Sequence, residues 1–458
     1  MAPQRRYAPY SPLHAGWVTL IIWLLLFPLT VHASDITTQE FSLDNGLNVV
    51  VIPNHRIPAV SHMLWFPNGG ADDPDGRSGL THFHEHIMFK GTPNFPSGEF
   101  ESIIAKLGGD HNAFTTYDTT GYYVNIPITA LPQIMELEAD RIRGIVPSDD
   151  DIIKERQVII EERNMRIENS PKALFREQLR TALFVHHPYG TPLIGWMHEM
   201  ESLSKHDVLE LHEQIYAVNN ATLILAGDIT EKEAKPLVEK YYGKLKKQKL
   251  PARNWNKEPP IRTNKRMVME HPQVNEPFWQ RSYIAPSIRH GETKHAIPLM
   301  VFVGWLGDGH TSYLYQQLVV KQKVATHISA HYSGFSLGPD TLSIRAVPAS
   351  GVSMEQLEEA IDTALNDALT TTPKAEDIER AQTLLKAGTL YAREGLQGIA
   401  YIVGWLKMLG LDANYINQWQ HDVDAATIAQ MQEAARAVLN SRGHVTGTLL
   451  PETVSEAK

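Results

Sequence analysis

The sequence contains no cysteine. That excludes disulfides and every thiolate metal site, so any metal bound here must rest on histidine, aspartate and glutamate. It also lacks a surplus of positive charge. Its 42 lysines and arginines face 52 aspartates and glutamates, a formal net charge of -10, which argues against a nucleic-acid or anionic-membrane surface. Beyond residue 34 there is no apolar run of the ~20 residues that a membrane span needs. The most tempting stretch, residues 399–411, is too short and contains Lys407, and reads as a core helix.

The N-terminus does carry such a run. Arg5 and Arg6, with no acid nearby, precede the almost wholly apolar residues 17–31, and Val31-His32-Ala33 places small residues where signal peptidase cuts. This is the pattern of a secretory signal over residues 1–33, cleaved near Ala33-Ser34. Export follows, with the periplasm as the expected compartment; left uncleaved, the same segment would serve as a membrane anchor.

From there on the pattern is α+β. "GLNVVVIPN", "SHMLWFPNG", "YYVNIPI" and "NATLILAGDI" read as strands, and "GEFESIIAKLG" places Phe100, Ile103, Ile104 and Leu107 at helical spacing. The polar, basic stretch 246–264, with three prolines, contains the expected linker, residues 249–264. It separates domains expected over 34–248 and 265–458, whose similar alternation of strands and long helices suggests that they are related.

One short stretch carries chemistry. In "LTHFHEHIMFKGT", at about 100° per residue, His82 and His86 lie about 40° apart with Glu85 alongside, whereas His84 falls about 200° away. Two imidazoles four apart can grip one zinc, and the glutamate can reach its bound water. His84 reads as a surface or supporting histidine and not as a ligand. In "KERQVIIEERNMR", Glu155, Ile159 and Glu162 share a stripe. From spacing alone this is either a solvated glutamate face or a set of carboxylates held by a metal or a histidine.

His82-x-x-Glu85-His86 is the order-inverted H-x-x-E-H zinc motif of inverzincins. With its surroundings it resembles the pitrilysin/insulinase family of zinc peptidases, especially the short two-domain branch of the mitochondrial processing peptidase beta subunit and bacterial zinc-binding subunits of two-chain peptidases. Further blocks carry the resemblance along the chain: "LGGDHNAFTTYDTTGYYVNIP", "HHPYGTPLIG", "YAVNNATLILAGDI" and "LNSRGHVTGTLLPE". It implies a pair of related α+β domains, each a mainly antiparallel sheet with helices packed on one side, together forming half of a clamshell. It further implies one zinc ion held by His82, His86 and Glu162, the last 76 positions beyond His86. Glu85 would be the general base and Glu155 the residue that orients a ligand imidazole. Asn112, Ala113 and Phe114 would lie on an exposed edge strand where peptide substrate adds by β-augmentation.

The resemblance breaks at one place. Active relatives carry an arginine and a tyrosine seven apart in the second domain, which position substrate and stabilise the oxyanion. Aligned on Leu318, those positions are Val319 and Thr326. Three readings follow. A homologous partner subunit supplies the pair; or the chain acts alone or as a homodimer, using His327 or Tyr332; or it is a non-catalytic zinc-binding assembly or peptide-binding subunit.

Overall fold

A computed structural model describes residues 36–452 apart from 393 and 442, so the expected signal segment lies outside the described residues. Strands β1 (Gln39–Ser42), β2 (Asn48–Pro53), β3 (Ala59–Phe66), β4 (Asp110–Thr115), β5 (Thr120–Pro127) and β6 (Thr222–Gly227) form a first sheet in the order β1-β2-β6-β3-β5-β4. A second sheet contains β7 (Lys265–His271), β8 (Phe278–Ala285), β9 (Ala325–His331), β10 (Asp340–Pro348) and β11 (His444–Pro451), ordered β7-β11-β8-β10-β9.

Leaving out β1, the two orders match position by position. Each has one parallel pair, β2 with β6 and β7 with β11, and antiparallel pairs elsewhere. The two halves of the chain are therefore α+β units of one topology. No strand or helix lies between residues 249 and 264, the stretch expected to link them.

Side-chain alternation divides each sheet into two buried faces. On the first sheet Val49, Val51, Leu64, Phe66, Leu223 and Leu225 pack against the helices of their own half. Val50, Ile52, Met63, Trp65, Ile224 and Ala226 instead meet Ile399, Ala400, Val403 and Leu406 of the helix Leu396–Met408, which comes from the second half. The exchange is mutual. Phe175, Leu179 and Leu183 of the helix Pro171–Leu183 pack on Phe278, Val445 and Leu449 of the second sheet. To the helices expected on one side of each sheet the structure thus adds one helix on the other side, taken from the opposite half.

The exchanged helix sits very close. A Cβ at Gly404 would lie 2.0 Å from Trp65 Nε1, so only glycine lets the helix approach the indole. Gly404→Val should destabilise the protein by about 1–3 kcal/mol through overpacking, which thermal unfolding would register as a lowered Tm.

Among the described residues no helix is long and apolar enough to cross a membrane. The helix Ala296–Gly307 is buried on nearly every side. With no polar face it has no period to read, and the sequence pattern does not announce it.

Candidate metal centre

The short helix Leu80–Ile87 carries the H-x-x-E-H residues. Asp73 anchors its start: its carboxylate accepts hydrogen bonds from Gly79 N (2.7 Å), Thr81 N (2.8 Å) and Thr81 Oγ1 (2.6 Å), satisfying donors that a helix N-terminus leaves unpaired. Gly79 is left-handed, with φ 83°. A Cβ there would meet the Ile194 carbonyl at 2.4 Å, and one at Gly195 would meet the Ser78 carbonyl at 2.4 Å. The two glycines let the 192–196 loop lie flat against the helix start. The buried Arg163, at the end of the helix Asp149–Arg163, donates to the Gly195 carbonyl (2.8 Å) and pairs with Glu177 (2.9 Å). One loop therefore sets the position of both helices that face the site.

Between those helices three donors converge. Glu162 Oε2 lies 3.7 Å from His82 Nε2 and 3.5 Å from His86 Nε2, and one ligand atom from each residue falls within 4.8 Å of the other two. Donors about 2.0–2.1 Å from a tetrahedral zinc stand about 3.3–3.4 Å apart, so the set fits zinc with little adjustment. Its two imidazoles and one carboxylate are also of the nitrogen and oxygen type to which a cysteine-free chain is restricted. The trio consists of the three residues that the resemblance implies as ligands.

Around the trio are groups that fix it. His86 Nδ1 faces Glu155 Oε2 at 3.3 Å, which turns Nε2 towards Glu162. Lys90 Nζ holds the other Glu155 oxygen at 2.7 Å, and Arg166 holds Glu162 Oε1 at 2.7 Å. Arg166 belongs to a π-helical segment, Asn164–Glu168, that continues the carboxylate helix. Neither cation was singled out from the sequence. The available signal was spacing, since Lys90 follows His86 by four and Arg166 follows Glu162 by four.

Electrostatics follow from this geometry. Burial pulls His82 down to about 4. Burial acts the same way on His86, but the carboxylates of Glu155 and Glu162 outweigh it and raise the imidazole to about 9. The hydrogen bond to His86 lowers Glu162. A metal must displace the His86 proton. Zinc affinity should therefore rise with pH up to about 9, about tenfold per unit for one proton released, as competition with a chromophoric chelator would show.

Glu85 is buried beside the trio, and Thr115 Oγ1 donates to its Oε2 at 2.5 Å. Burial raises its carboxyl above the usual range despite that bond. Thr115 is the last residue of β4, the terminal strand of the first sheet. Asn112, Ala113 and Phe114 lie on the same strand, hydrogen-bonded to β5 on one side only. Asn112 Oδ1 accepts from Ala113 N, and Phe114 packs on Trp65.

His84 is not among the ligands, but it is no surface residue either. It is fully buried on the far side of the helix, with its ring 4.1 Å from that of Tyr216 and its Nε2 3.1 Å from His212 Nδ1. Burial holds His84 well below its ordinary value and His212 at about 4, so the pair is neutral. His84→Ala should leave zinc content unchanged while costing about 2–5 kcal/mol of stability, as for other large buried side chains. Metal analysis and denaturant unfolding would separate the two effects.

Among the described residues the second half has no such centre. The helix between its second and third strands, Ala296–Gly307, occupies the topological place of the metal helix and holds no histidine, aspartate or glutamate. Val319 is partly buried against the second core, and Thr326 is exposed on β9. Tyr332 is buried, and its hydroxyl donates to the Pro286 carbonyl at 2.7 Å. His327 is exposed on β9.

Comparison with known proteins matches two family models along the chain, which meet near residue 200, before β6 of the first sheet. Residues 48–196 match the model for insulinase (peptidase family M16), and residues 202–385 match that for the peptidase M16 inactive domain. The zinc protease PqqE of Helicobacter pylori is 28% identical over 315 residues, covering 68% of this chain and 70% of that one. A probable mitochondrial-processing peptidase subunit beta of Schizosaccharomyces pombe is 24% identical over 378 residues, covering 80% and 81%. The crystal structure of a protease from Helicobacter pylori shares the fold, with a TM-score of 0.83 at 24% identity over 91% of this chain and 100% of that one.

Proposed function

Because the chain belongs to peptidase family M16, whose relatives are zinc proteases, we propose that it is an exported zinc metalloendopeptidase acting on peptides or unfolded protein segments. The observation that carries this reading is the union of His82, His86 and Glu162 around one point with Glu85 buried beside them. Zinc held there would polarise the scissile carbonyl and make water a nucleophile near neutral pH. Glu85 takes the proton from the attacking water and returns it to the leaving amine; its raised pKa brings it closer to the range where one group does both. Glu155 fixes the His86 ring, with Lys90 holding Glu155 in turn. The free edge of β4 lays the peptide in extended form past Glu85, with Asn112, Ala113 and Phe114 beneath it.

The chain works as the metal-bearing member of a pair. Val319 and Thr326 cannot donate as arginine and tyrosine do, and the Tyr332 hydroxyl is committed to Pro286, so a homologous partner supplies the oxyanion donors. The apolar N-terminal run supports export, with the periplasm as the compartment.

The hydrolytic reading is tested by stripping zinc from the mixture of the chain with such a homologue and then restoring it. Hydrolysis of unstructured peptides should disappear with chelation and return with zinc. Hydrolysis indifferent to chelation would overturn the reading.

A further inference from the structure

A peptide added to β4 points alternate side chains to opposite faces of the first sheet. One face belongs to the metal centre: Thr115 reaches Glu85, and His111 stacks on Phe89 with ring centroids 5.3 Å apart. The other face begins at Phe114. Its ring lies 4.9 Å from that of Trp65 and 5.1 Å from that of Tyr401, on the exchanged helix. Tyr401 is 38% exposed and stacks on Trp405 at an interplanar angle of 11°. Behind them a cavity of about 190 Å³ is lined by Phe335, Tyr401, Ile402, Trp405, Ile416 and Trp419.

We propose that this cavity receives one large aromatic or aliphatic side chain of the peptide, at a position of opposite parity to those that face the metal. The proposal rests on the peptidase reading and on β4 as the peptide's docking edge. Three features select this occupant. Phe114 of β4 packs against Tyr401 of the cavity wall. The lining is aromatic and aliphatic apart from Thr389. The volume is below the roughly 300 Å³ at which small-molecule sites begin, which suits one side chain. Four of the lining residues, Tyr401, Ile402, Trp405 and Leu406, stand on the helix that the second half lends to the first sheet. The exchanged helix thereby becomes part of substrate choice.

The test is a positional-scanning peptide library digested by the chain with its homologous partner. Tyr401→Ser and Trp405→Ala chains are compared with wild type, and binding to the zinc-loaded Glu85→Gln chain is measured in parallel. The wild-type profile should show one position where replacing a large apolar residue by alanine lowers kcat/KM about tenfold or more. Tyr401→Ser, a substitution at a partly exposed side chain, should erase that preference and leave those at the adjacent positions. Trp405→Ala should do the same if it folds, and Tyr401→Ser decides the matter if it does not. An equal loss at every position would mark Tyr401 as merely structural and overturn the proposal. A profile unmoved by Tyr401→Ser would overturn the cavity assignment alone. Failure of any peptide either to bind or to be cleaved would count against the peptidase reading, and the cavity assignment would fall with it.

Discussion

A Glu85→Gln chain should keep one zinc and lose hydrolysis by about 10²–10⁴-fold, the usual worth of a positioned acid–base group. The two effects separate because Glu85 stands beside the ligand trio and not within it. Glutamine keeps the shape and still offers an oxygen to Thr115 Oγ1, so the local hydrogen bond survives. What it cannot do is take a proton from water. Metal analysis and peptide turnover on the same preparation check both halves of this expectation. Turnover near the wild-type rate would remove Glu85 from the mechanism, and loss of zinc would give it a structural part instead.

Glu162→Gln should act in the opposite order, losing metal first and activity as a consequence. The Glu162 carboxylate brings the only negative charge to a trio otherwise made of two imidazoles, and its Oε2 faces both. An amide coordinates weakly and carries no charge. Losing an outer partner such as Glu155 costs about 10–100-fold in metal affinity, and loss of a ligand should exceed that. Competition with a chelator would rank wild type, Glu155→Gln and Glu162→Gln in falling affinity. Equal affinity in wild type and Glu162→Gln would mean that the third ligand lies elsewhere.

Much of this centre was legible because a helix has a fixed period. That period alone places His82, Glu85 and His86 together and sends His84 to the far side, where it is found. It also puts Glu155 and Glu162 on one stripe, although only the resemblance separates a ligand and its supporting carboxylate from a solvated face. Thr115 was beyond reach, because its bond to Glu85 depends on how a strand and a helix are juxtaposed. The exchange of helices was hidden for a related reason. An apolar helix such as Leu396–Met408 announces burial but not which sheet it covers. A signal was nevertheless present in the unbroken apolar runs of β2 and β6. Central strands that do not alternate are buried on both faces, and Trp65 and Gly404 show how tightly the second face is filled.

On the proposed function the chain is complete as a metal centre and incomplete as a catalyst. The direct measurement of this is the hydrolysis rate of unstructured peptides by the zinc-loaded chain, alone and mixed with a homologous chain that carries the arginine–tyrosine pair. Restoring an oxyanion donor should raise the rate by about 10²–10³-fold. Equal rates with and without the homologue would show that the chain needs no partner.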